Sequence, residues 1–84
     1  MGRSQKTITQ LFREDLESLQ KFRRALRRED QVVFDELMAY AQQHLAAAGY
    51  AAHITPFEAF LLAMLLEEHK RNNRLAAQLE ELLP

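Results

Sequence analysis

Proton transfer and metal binding at neutral pH need titratable side chains held together. His44, His53 and His69, with the adjacent carboxylates Glu67 and Glu68, are the residues of this chain best suited to that work. Their spacing suits it poorly. A helical zinc site sets two ligands at i and i+4, and no two of these histidines are so separated. A di-iron bundle uses Glu-x-x-His, and ahead of His69 the glutamate position is held by Leu66. Phosphate loops, nucleophile elbows and dinucleotide fingerprints need glycines at fixed offsets, and the chain has two glycines in all. Cysteine is absent, which removes thiolate metal sites, cysteine nucleophiles and disulfides, and fits a reducing cytoplasm. The histidines read as solvated surface groups, and no catalytic residue, metal or cofactor is expected.

A second pattern is electrostatic. Lys21, Arg23, Arg24, Arg27 and Arg28 place five cations within eight residues. Such a cluster can hold phosphates, with an affinity that falls steeply as salt rises. It also has a purely structural reading, because arginines at a helix C-terminus complement the dipole, and Glu17, Glu29 and Asp30 stand close enough to offset the charge. No helix-turn-helix glycine turn, zinc finger or stacking aromatic cluster accompanies the run. Eleven Lys and Arg against twelve Asp and Glu leave a formal net charge of -1, so no global field draws nucleic acid or an anionic membrane.

The third pattern concerns association. Leu61, Leu65, Glu68, Asn72, Leu75, Leu79 and Leu82 are separated by alternating steps of four and three, a heptad seam. Leu65, Asn72 and Leu79 take position a, and Leu61, Glu68, Leu75 and Leu82 take position d. A lone Asn at a sets register and strand number at some cost in stability, while Glu68 at d weakens the match. The competing reading packs the same leucines on the first helix of their own chain. Upstream, Phe57, Phe60, Leu61, Leu62, Met64, Leu65 and Leu66 clothe most of the helix circumference, which places this segment at the centre of a bundle or a dimer core.

A chain of 84 residues makes one domain and buries roughly 60 to 65% of its unfolded surface. Strand signals are missing. The expected class is all-α: a helical hairpin and a long C-terminal helix, completed as a dimeric bundle. The first helix, about 8–28, starts at Thr7 with Gln10 closing a capping box, and Ile8, Phe12, Leu16, Leu19, Phe22 and Leu26 draw its apolar stripe. The switch from Arg27-Arg28 to Glu29-Asp30 marks a boundary, with Asp30 as N-cap of a second helix, about 31–48; a kinked continuous helix is the alternative. Gly49 suits a left-handed C′ position. Thr55-Pro56-Phe57-Glu58 is the strongest start signal in the chain and opens a helix over 56–83. That helix outruns the second one by roughly 15 Å at 1.5 Å per residue, so its end needs a partner. The polar residues 1–6 read as a flexible start, neither signal peptide nor anchor, and the longest apolar run, Ala59 to Leu66, is far short of a membrane span.

The stretch from Phe22 to Gln31, with Pro56-Phe57-Glu58 and the leucine run into Glu67, resembles a group of short uncharacterised prokaryotic helical proteins. The resemblance implies an all-helical fold and no particular activity. The expectation from sequence is a small cytoplasmic, non-enzymatic interaction protein. It self-associates through Leu61, Leu65, Asn72, Leu75, Leu79 and Leu82 as a homodimer or higher homo-oligomer. The alternatives are a nucleic-acid-binding accessory protein using the basic run, and an adaptor that receives a helix from another protein.

Overall fold

The computed structural model describes residues 6–51 and 55–84. Every regular element among them is helical: α1 (Ile8–Ser18), α2 (Gln20–Ala25), α3 (Arg28–Gln43), α4 (Leu45–Ala48) and α5 (Pro56–Leu82). The three-helix arrangement is recognisable, with each of its first two members interrupted once. Apart from Lys6, the N-terminal segment 1–6 lies outside the described residues, and so does His53.

The capping box of α1 forms: Gln10 N–H donates to Thr7 Oγ1, and Thr7 N–H donates to Gln10 Oε1 at 2.8 Å. The helix then breaks at Leu19, where side chains compete for backbone carbonyls. Ser18 Oγ donates to the Asp15 carbonyl and Gln20 Nε2 to that of Leu16, a back-bonding that bends helices. The next break comes earlier than the charge switch suggests. Leu26 and Arg27 are both extended, Arg27 rather than Asp30 occupies the N-cap of α3, and its side chain caps nothing. Arg28 therefore opens α3 instead of closing the first helix. Glu29 and Asp30 still complement the dipole from within the first turn. The third interruption is at His44, where φ -119 and ψ 25 leave the helical region. Gly49 is not left-handed: its φ of -64 is right-handed helical, so the chain winds on through a short turn.

The core is small. Phe12, Ala41, Phe60 and Met64 form its buried cluster, and Ile8, Leu16, Leu37, Met38, Leu45 and Ala48 pack around them half-buried. Phe12 and Phe60 meet edge to face, with centroids 5.2 Å apart and planes at 84°, joining the first helix to the last. A second contact, Phe22 on Phe34 at 5.7 Å, closes the α2–α3 hairpin.

These contacts leave much surface open. The Cα extents are 68 × 31 × 16 Å, the shortest matching two helix layers at the usual 8–10 Å spacing. The radius of gyration is 16.3 Å, against roughly 12 Å for a compact chain of this length. The accessible surface is 7048 Å², where a compact monomer of this mass presents roughly 5,200 Å². The shape explains the surplus of about 1,800 Å²: α5 is about 40 Å long at 1.5 Å per residue, and the chain packs against only its first half.

Candidate functional site: the open face of the terminal helix

The start of α5 is fixed by its own sequence. Thr55 Oγ1 accepts from Glu58 N–H while Glu58 Oε1 accepts from Thr55 N–H at 2.9 Å, and Pro56 fills the first turn where no N–H is needed. The hydrogen bond from the Thr55 backbone, then that from its hydroxyl, holds the Glu58 carboxyl below its ordinary range.

From there the buried side chains are Ala59, Phe60, Ala63, Met64 and Glu67, a single face of the helix. Two alanines let the neighbouring helices approach, and Phe60, only 1% exposed, fills the centre. The leucines face elsewhere. Leu61, Leu62, Leu65 and Leu66 are all exposed, Leu65 at 64%, and from Glu68 onward every residue of the chain is exposed, including Asn72, Leu75, Leu79 and Leu82. The reading in which these leucines pack on the first helix of their own chain is overturned: that contact is made by Phe60, not by them. Within one chain the first half of α5 is covered on one face only, so it is not the centre of an intramolecular bundle.

Polar groups close the lower edge of the core. Glu67, 9% exposed, accepts from His44 Nε2 at 2.6 Å and from Lys70 Nζ at 3.0 Å through the same carboxylate oxygen. An ionised carboxylate has no proton to donate, so the proton between them sits on His44 Nε2. The hydrogen bond from His44, then that from Lys70, holds the Glu67 carboxyl below the usual range. His44 is thus a half-buried structural partner and not the solvated histidine its sequence context suggests. Glu68 and His69 stay exposed and apart from this pair. Among the described residues, no group of three or more His, Cys, Asp or Glu is placed to hold a metal. An open apolar hollow of about 120 Å³ lies beside His44, between α4 and α5. It is well below the roughly 300–1,000 Å³ of a small-molecule site.

The basic run does not form one continuous helical stripe. Lys21, Arg23 and Arg24 are on α2, Arg27 is in the turn, and Arg28 begins α3. Arg23 is committed to a two-pronged contact with Asp35, Nε to Oδ1 and Nη2 to Oδ2, both 2.8 Å. That hydrogen bond holds the Asp35 carboxyl below its usual range. Lys21, Arg24, Arg27 and Arg28 are exposed.

Neither the Arg23–Asp35 pair nor the His44–Glu67–Lys70 group was visible in sequence. Glu67 and Lys70 stand at i and i+3, which puts them on one helix face. Nothing in the spacing joins either to residue 44.

Among the described residues no helix is long and apolar enough to cross a membrane. Comparison with curated proteins and with solved structures finds no match. Residues 1–83 match DUF8156, described as a domain of unknown function, and since the match spans nearly the whole of this open-faced helical fold, the chain belongs to that family.

Proposed function

We propose that the protein is a small helical protein–protein interaction module that self-associates through α5 and has no catalytic role. One observation carries this reading: Leu61, Leu65, Leu75, Leu79 and Leu82 lie in a single heptad row that the chain's own helices leave exposed. Exposed leucines are common singly, whereas five aligned along one helix face are characteristic of an interface. The surface surplus points to a second copy. About 1,800 Å² per chain is of the size that obligate homodimers remove, which runs from roughly 2,000 to 5,000 Å² in total. A cytoplasmic setting fits a chain with no cysteine.

Sedimentation equilibrium across a dilution series tests the reading. The expected result is a mass of about twice 9.8 kDa that falls toward one chain on dilution, with a melting temperature that falls in parallel. A single-chain mass at every concentration refutes it. The nucleic-acid alternative rests on Lys21, Arg24, Arg27 and Arg28, since Arg23 is engaged by Asp35. It requires retention on DNA or RNA at low salt that is lost on reversing two of the free arginines. The adaptor alternative requires a monomer that gains a foreign helix on this same row.

A further inference from the structure

We infer that the two α5 helices pair antiparallel, about a two-fold axis passing beside residue 70. This rests on the self-association proposed above and adds its direction and register. The side chains of α5 that the chain buries for itself, Ala59, Phe60, Ala63, Met64 and Glu67, occupy heptad positions b, c, f and g. None is at a or d, so a partner helix can lie along the seam without displacing an intramolecular contact.

The two polar seam residues then choose the direction. In a parallel, in-register pair, Glu68 at d stands against the partner's Glu68. Two carboxylates would face each other in a leucine seam with no donor between them, an arrangement that like-charge repulsion and desolvation both oppose. In the antiparallel pair each a residue meets a d residue. With the axis beside residue 70, Leu61 meets the partner's Leu79, Leu65 meets the partner's Leu75, and Glu68 meets the partner's Asn72. The seam leucines Leu61, Leu65, Leu75 and Leu79 each face a leucine, and the Asn72 amide donates to the Glu68 carboxylate. Arg71 is held by Tyr40 of its own chain and lies near enough to Glu68 to offset part of that carboxylate's charge. The same register lays the uncovered end of each helix over the exposed Leu61 and Leu65 beside the partner's core. A foreign helix would have to reproduce this polar placement, whereas a second copy supplies it by symmetry.

The absence of cysteine makes the test clean. Leu61→Cys and Leu79→Cys change two exposed side chains and leave the core intact. Oxidised as a mixture they should form a 61-to-79 disulfide, and each variant alone should not. Like positions are about 27 Å apart along the antiparallel pair at 1.5 Å per residue, and a disulfide needs Cα atoms within roughly 7 Å. A spin label at Glu81→Cys keeps every leucine and should report a separation of at least about 33 Å. Cross-linking of each single variant with itself, or labels at 81 close together, overturns the antiparallel pairing while leaving self-association standing. A single-chain mass for the unmodified protein removes both.

Discussion

Leu75→Asp separates an isolated chain from an assembled one, because the same substitution is nearly neutral in the first and strongly weakening in the second. Leu75 is 55% exposed and borders an open hollow that it shares with Tyr40 and Arg71, outside the buried core. In a solitary chain, replacing an exposed side chain remote from any cap or core shifts stability by no more than about 0.5 kcal/mol, with helix propensity contributing the same order. In the dimer the residue is present twice and faces the partner's Leu65. Burying the remaining half of one leucine is worth about 1 kcal/mol, so two copies contribute about 2 kcal/mol. Placing a carboxylate in the seam from each chain adds a desolvation penalty of at least about 1 kcal/mol apiece, about 2 kcal/mol in all. The sum, about 4 kcal/mol, weakens the dimer roughly a thousandfold at 1.4 kcal/mol per decade. Sedimentation equilibrium at a concentration where the parent is fully dimeric should show a single-chain mass for the variant. Circular dichroism should show helix retained at low temperature and a melting midpoint lowered toward that of the diluted parent. If parent and variant have the same mass and the same midpoint, the seam is not an interface and the reasoning fails.

The remaining predictions concern the fold. Gly49→Ala should stabilise by roughly 0.4 to 1 kcal/mol, since Gly49 is right-handed and a Cβ there would meet nothing closer than the Ala46 carbonyl at 3.4 Å; a lowered urea midpoint would contradict the assigned backbone. Arg27→Ser should stabilise by about 1 kcal/mol, because the N-cap of α3 lacks a side-chain acceptor; if Asp30 were the true cap the change would be neutral. Glu67→Gln should destabilise near neutrality and converge on the parent in acid. A carboxyl depressed in the folded state stabilises above its unfolded value near 4.5, and the contribution is lost as pH falls through the lower folded value. Urea titrations of both proteins at pH 7 and pH 3 check the sign, and a gap that widens in acid would refute it.

Element type was legible in the sequence wherever the signal was local. The Thr7 and Thr55 capping boxes are built from residues three apart, and both form as written. The long terminal helix followed from a start signal and the lack of any breaker before Pro84. The interruptions were harder to see. Leu19 and His44 are ordinary helix residues, and what breaks the helix there is Ser18 and Gln20 bonding to carbonyls in one case and, in the other, a turn at the residue that reaches Glu67. The α2–α3 boundary was displaced because a charge switch complements a dipole from within the first turn as well as from the cap. For the candidate interface, the leucine row was legible as a row, but which of two apolar faces the chain would keep for itself was not. Ala59 and Ala63 win that choice because small side chains admit a neighbouring helix, which the leucines would hold away.

The edge-to-face contact of Phe12 with Phe60 also has a meaning in time. Its two rings are 48 positions apart in a polypeptide made from the N-terminus, and at about 5 to 20 residues per second the first waits about 2 to 10 s for the second. Throughout that interval the nascent hairpin carries an unfinished aromatic socket, and the segment that plugs it brings the leucine row immediately behind. Core closure and exposure of the sticky edge therefore arrive together, once the segment that forms α5 has been made.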